Sequence, residues 1–247
     1  MASPCQRLRV DMEGLNVLNE KTYHRVLWER RIMFLSTTLC IVCIFIFVIA
    51  VATTSWAIFD VHDERMNVTV CLHLGIWGEW RIEKDSETSE TKKATWINHF
   101  PEPPPEYSRL TDVDLLHYHR TQAVFSIVGF VLMLLGNGFA LYSFNHHRYM
   151  YKRLTFGLLA FVAMCVLVVI EVLINSVNEW KEFTGKHNHP EYYFQSMSYG
   201  YSTYLSWIVF AVYIFAAFVF LVGGRKQKGD RAATKEFEEE DRPVNLS

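Results

Sequence analysis

Histidine is the residue type best placed to do chemistry in this chain. His117-Tyr118-His119 and His187-Asn188-His189 each set two imidazoles two residues apart, and His62, His73 and His99 lie in the same polar stretches. A zinc ion would take about four ligands from such a set, in tetrahedral geometry. No cysteine or spaced ligand motif accompanies these residues, so we expect solvated loop histidines and no metal. Glu171 is a second candidate, an acid within a long apolar run. Ionisable groups at membrane depth face a bundle interior, a cavity or a partner. Two readings of Glu171 stand: bonded to a neighbouring helix or loop near Asn175 and Asn178, or facing a partner or pore. Asn67-Val68-Thr69 is an N-glycosylation sequon. The chain has no Gly-rich phosphate loop, no His-Glu-x-x-His and no Gly-x-Ser-x-Gly. We expect no enzyme and no cofactor.

The elements that position these groups are four apolar runs, at about 32–57, 121–144, 154–177 and 199–224. About 20 apolar residues cross a bilayer's hydrocarbon core as a helix. Lipid leaves only helices or closed barrels as spanning structures. The runs show no strand alternation, so we expect four membrane-spanning helices. Between them lie loops at 58–120 and 178–198, and at the ends a segment 1–31 and a disordered tail 225–247. Composition agrees, with 51% hydrophobic and 20% charged residues, which confines the charges to the connections. A net charge of −2 carries no message about nucleic acid.

Basic residues set the orientation. Arg25, Arg30 and Arg31 precede the first span, Arg148, Lys152 and Arg153 join spans two and three, and Arg225, Lys226, Lys228 and Arg231 follow the fourth. The positive-inside rule makes that side the cytosol and places both termini there. The sequon at Asn67 then falls outside, where glycosylation occurs, and we expect it to be used. Asn245-Leu246-Ser247 falls in the cytosol and should be silent. About thirty polar residues precede the first run, so it reads as a retained anchor and not a cleaved signal. Arg225, Lys226 and Lys228 face lipid headgroups and could hold anionic lipid at ~1 kcal/mol per charge. The terminal Ser247 is a poor ligand for a PDZ groove.

The first outer loop reads as a small antiparallel sheet. Trp56-Ala57-Ile58-Phe59 continues from the first span as a strand. Val68–Leu74 is β-branched and apolar. In Trp77–Lys84, Trp80 and Ile82 fall on one face and Glu79, Arg81 and Glu83 on the other. Thr95–Phe100 could supply a further strand, with Asp85–Lys93 as a charged hairpin tip. Pro101-Glu102-Pro103-Pro104-Pro105 then blocks helix and central strand. Asp60, Asp63, Glu64, Glu79 and Glu83 either line an ion path or keep a wet surface soluble. Tyr192, Tyr193, Phe194, Tyr199, Tyr201 and Tyr204 suggest an interfacial aromatic belt.

Trp56, followed after the sequon by Cys71-Leu72-His73-Leu74-Gly75-Ile76-Trp77, resembles the first-loop signature of the claudin superfamily. That superfamily comprises claudins, the PMP22/EMP group and the gamma subunits of voltage-gated calcium channels. Gly75-Ile76-Trp77 is a conservative form of its Gly-Leu-Trp. Asn98-His99-Phe100-Pro101 and Ile170-Glu171-Val172 with Ser176-Val177 look like gamma-subunit segments. Tyr199–Trp207 and Gly223-Gly224 look like the superfamily's last span. The resemblance implies a four-helix membrane bundle carrying a small antiparallel β-sheet. It also implies two cysteines after Gly-Leu-Trp that brace the sheet as a disulfide. Here the first of those places is Trp80, and no cysteine follows in the loop. Cys71 is the lone loop cysteine, so it is either a buried thiol or bonded to another chain. The sheet must then hold by packing, and Trp56, Trp77, Trp80 and Trp96 are candidates for an aromatic brace, with Trp77 expected as a buried anchor.

The function this implies is a structural and adhesive component of a cell–cell junction, of tight or septate type, contributing to a paracellular barrier. The chain would sit in the plasma membrane at lateral contacts. It would assemble as a homo- or hetero-oligomer with other claudin-like tetraspans. The alternative is an auxiliary gamma-like subunit of a voltage-gated calcium channel or receptor.

Overall fold

The computed structural model describes residues 4–64, 67–85, 90–100, 116–145, 149–183 and 192–223. Helices α1 (Pro4–Ala52), α2 (Leu116–Asn145), α3 (Tyr149–Phe183) and α4 (Tyr201–Gly223) form a bundle. Strands β1 (Ala57–Asp63), β2 (Val68–Leu74), β3 (Gly78–Asp85), β4 (Thr91–Asn98) and β5 (Tyr192–Tyr199) form one antiparallel sheet in the order β4-β3-β2-β1-β5. Each helix contains a stretch apolar and long enough to cross a membrane: Leu27–Ala52, His117–Ser143, Met150–Trp180 and Tyr201–Gly223.

The bundle core follows helical spacing. Met33, Cys40, Cys43 and Phe47 of α1 meet Met133 and Ala140 of α2, Leu159, Val162, Ala163, Val166 and Ile170 of α3, and Val209, Tyr213, Ala216 and Phe220 of α4. A polar tie crosses this core. Asn137 Nδ2 donates to the Tyr213 hydroxyl at 3.1 Å, and that hydroxyl donates to the Cys40 carbonyl at 3.3 Å. Three helices are thereby pinned in rotation, since a polar group in an apolar interior is costly unless bonded. At the other end of α4, Lys152 Nζ donates to the Gly223 carbonyl at 3.2 Å, placing a cation at a helix C-terminus.

A second core joins sheet to bundle. Ala57, Phe59 and Val61 of β1 and Val70, Leu72 and Leu74 of β2 face Val169, Leu173, Val177 and Trp180 of α3, with Ala50 and Ala123 closing the sides. Strand alternation supplies this face: β1 buries every second residue. Phe59 and Trp180 stack with centroids 5.6 Å apart.

Several boundaries differ from those expected of the sequence. The first helix ends at Ala52 and not near 57, because the backbone at Trp56 turns to pair with Leu74. Upstream it is continuous to Pro4, well before the stretch apolar enough to span, which begins at Leu27. Helix α3 runs past 177 to Phe183, which brings Trp180 to the sheet. Strand β4 begins at Thr91, four residues early, and shortens the tip. The fifth strand was not foreseen. Tyr192, Tyr193, Phe194 and Tyr199 pair with β1, opposite Asp63, His62, Val61 and Ala57, so they form a strand, and Tyr199 ends it without beginning the fourth span, whose helix starts at Tyr201. Tyr201 and Tyr204, by contrast, are exposed at the start of α4. Residues Pro101–Pro105, His187, His189, the tip 86–89 and the tail with Arg225, Lys226 and Lys228 lie outside the described residues.

Candidate functional site

Trp56 is the knot between sheet and bundle. It is fully buried. Its indole Nε1 donates to the Ala50 carbonyl at 2.8 Å, capping the last turn of α1. Its backbone N donates to Leu74 O at 3.0 Å, while its carbonyl accepts from Gly200 N at 3.0 Å and from Thr203 Oγ1 at 2.8 Å. One residue thus holds the ends of α1, β2, β5 and α4. Two glycines allow the close approach. A Cβ on Gly200 would overlap the Ser55 carbonyl, and one on Gly75 would stand 2.8 Å from Gly78 O and 3.0 Å from Thr54.

The rest of the signature divides by burial. Ile76 is fully buried, whereas Trp77 is 40% exposed and touches Phe100 edge-on at 6.2 Å. The expected Trp77 anchor is therefore Ile76, with Trp56 beneath it. The other indoles do not join them. Trp80 and Trp96 oppose each other directly across β3 and β4, centroids 5.3 Å apart, on the outward face. That pair occupies the place where the resemblance implies the first cysteine. An exposed cross-strand aromatic pair is worth ~0.5–1.5 kcal/mol beyond its area, less than a typical short-loop disulfide at ~2–4 kcal/mol.

Strand β3 is inverted relative to its polarity. Glu79 is 4% exposed and its neighbour Trp80 41%. The charged face turns inward because it is neutralised there. Arg81 Nε donates to Glu79 Oε1 at 2.6 Å, and its terminal nitrogen lies equally close. His99 Nδ1 donates to the Ile76 carbonyl at 3.2 Å, which turns Nε2 toward Glu79 Oε2 at 3.9 Å. Burial alone would push the Glu79 carboxyl up. His99 and then Arg81 reverse that and hold it at about 2. At 3.9 Å His99 is a looser partner than Arg81. The His119 ring of α2 stacks on His99 with centroids 3.8 Å apart, and both are buried. His99 and His119 are thus not solvated loop residues, and Glu79 is withdrawn from any surface ion path. Among the described residues no group of three His, Cys, Asp or Glu side chains could hold a metal ion.

Asn67 sits just before β2, exposed, with φ 50°. Asparagine tolerates that left-handed conformation better than most residues. Cys71 is 7% exposed, and its Sγ lies 3.7 Å from His73 Nε2. Burial, reinforced by the nearby Asp60 carboxylate, pushes its thiol up to about 11. A thiol so placed is a poor nucleophile. A membrane-impermeant maleimide should label intact cells little at this position, and non-reducing gels should show monomer. A reducible dimer lost on Cys71→Ser would overturn the buried thiol. Asp60 also accepts from Ser196 Oγ at 2.6 Å, bonding β1 to β5.

Glu171 is exposed on the outer face of α3, together with Asn175 and Asn178. It is not folded into the bundle. Sequence reasoning passed over Asn137, although an amide between Gly136 and Gly138 in an apolar run was a visible signal. It also passed over the Glu79–His99–His119 cluster, whose members are distant in sequence and carry no motif.

The arrangement offers a rigid sheet with two edge strands, β4 and β5, standing on a membrane bundle. A family model described as PMP-22/EMP/MP20/Claudin tight junction matches residues 41–222. No curated protein matches the chain.

Proposed function

The chain belongs to the PMP-22/EMP/MP20/Claudin family, and from that membership we propose that it is a structural, adhesive component of a tight or septate type cell–cell junction, contributing to a paracellular barrier. The observation that carries this reading is the coupling of sheet to bundle. Trp56, Gly200 and the Phe59–Trp180 stack fix the sheet's height and tilt. A module held that way can present the β3–β4 hairpin and the β5 edge to neighbouring molecules at a constant distance from the bilayer. Both termini face the cytosol in this reading, and Arg225, Lys226 and Lys228 meet anionic headgroups. A tagged protein should form a continuous lateral belt in a polarised epithelium. Diffuse surface staining would overturn the junction role.

The second reading, an auxiliary gamma-like subunit of a channel or receptor, is favoured by one observation, the outward-facing Glu171. Muscle or synaptic staining in place of a belt would favour it.

Orientation has its own check. The exposed Asn67 should carry glycan, so glycosidase should shift the mobility of wild type and leave Asn67→Gln unchanged. Tags on both termini should be reached only after permeabilisation. Staining of either terminus on intact cells would reverse the orientation.

A further inference from the structure

We propose that the His99–His119 stack is an acid-released latch: closed, it holds the β3–β4 side of the sheet to α2, and a proton on His119 lets that side swing away while β1 and β2 stay seated. The proposal concerns the sheet's own mobility and holds for either reading of the partner.

The two halves of the sheet are held differently. The core joining sheet to bundle draws its strand residues from β1 and β2, with Met197 and Tyr199 of β5 at its margin, and none from β3 or β4. Trp56 and the Phe59–Trp180 stack also hold the β1 half. On the β3–β4 half, sheet and helix meet where the His99 ring lies on the His119 ring, with centroids 3.8 Å apart and planes 22° from parallel.

The two rings are not equivalent, though both are 5% exposed. His99 has an acceptor at each nitrogen, the Ile76 carbonyl at Nδ1 and Glu79 Oε2 at Nε2. The Glu79 charge is already answered by Arg81. His119 Nδ1, by contrast, is buried with no hydrogen-bond partner. So are the Gln122 amide nitrogen, one turn along α2, and Ser176 Oγ. Ser176 comes level with His119 because α2 and α3 run antiparallel, with Gly129 against Cys165 and Gly136 against Leu159. The titratable groups that act on His119 are His99, Glu79 and, on its own helix, His117, and among the described residues no charged group of α3 joins them.

A neutral imidazole donates from one nitrogen and accepts at the other, whereas an imidazolium must donate from both. In the closed latch a proton on His119 finds no acceptor at Nδ1 and presses against the ring that already faces Glu79. A buried charge without a partner is costly. In the open form the same ring meets water. The open form therefore binds a proton that the closed form does not, and acid shifts the equilibrium toward opening. An imidazole in water takes its proton at about 6.5, so the closed form keeps its full advantage above that pH and loses it below, by about 10-fold at pH 5.5.

The experiment uses the full chain purified in lipid nanodiscs, with introduced cysteines labelled by a methanethiosulfonate and read peptide by peptide by mass spectrometry. Ile97→Cys reports the latch, because Ile97 is buried and pairs with Glu79 across β3 and β4. Lys93→Cys, exposed on β4, gives the rate of a free thiol, and Val70→Cys reports the β2 side. Between pH 7.5 and 5.5 the Ile97→Cys rate, divided by that of Lys93→Cys at the same pH, should rise about 10-fold. Val70→Cys should stay flat. Combined with Ile97→Cys, His119→Phe keeps a ring on the stack but takes no proton, and there the rise should vanish. His119→Gln serves the same comparison if the phenyl variant does not fold. Lost packing alone would shift the ratio equally at both pH values, so the pH profile separates the proton from the contact. A flat ratio with His119 intact, a rise that persists in the variants at 119, or an equal rise at Val70→Cys would each overturn the latch.

Discussion

Trp56→Ala should abolish surface delivery. Truncating a large buried aromatic costs ~3–5 kcal/mol, and here the loss is compounded. The indole is fully buried in the core that joins sheet to bundle. Removing it also leaves the Ala50 carbonyl without its 2.8 Å donor. No disulfide among the described residues backs up the joint. Trp56→Phe should recover part of the packing but not the capping bond. Trp77→Ala, at an exposed position, should be mild by comparison. The check is the fraction of protein at the surface by biotinylation, with thermal stability in detergent. A Trp77→Ala defect as severe as that of Trp56→Ala would show that burial does not rank these two sites.

Glu79→Leu should destabilise the sheet strongly. Removing one member of a buried ion pair leaves the other charge uncompensated, a loss of ~3–5 kcal/mol. Arg81 would be that charge, since its guanidinium is aimed at Glu79 Oε1 from 2.6 Å. The His99–His119 stack would lose its acidic neighbour as well. The pH dependence follows from the carboxyl's position. It is held at about 2 in the fold, against an ordinary value of 4.5. A depressed carboxyl contributes stability that is fully present above pH 4.5 and lost as pH falls toward 2. Wild type should therefore lose melting temperature in that window, and Glu79→Leu should lose less there. Equal acid sensitivity in the two proteins would detach the effect from Glu79.

The spans were legible because about 20 apolar residues have only one outcome in lipid. The strand through Val68–Leu74 was legible from its β-branched, apolar composition, and the one through Gly78–Asp85 from alternation. What was hidden has a common physical cause. Alternation gives the two faces of a strand but not which one is buried, and β3 chose the face bearing Glu79 because Arg81 of the same strand pairs with it and His99, stacked on His119 of α2, reaches it from other segments. The fifth strand was masked by its aromatic residues, which read equally well as an interfacial belt until β1 supplied a partner. The outward direction of Glu171 needed the other three helices in place.

The link between β5 and α4 is a single residue, Gly200, and α3 runs from Tyr149 to the sheet without interruption. No slack separates the sheet from the bundle at either place. In the proposed junction, a sideways pull on the sheet by an adhering neighbour would therefore arrive in the membrane as torque. The helices would tilt as one rigid lever, and the mechanical load of cell contact would be borne by the bilayer and not by a hinge.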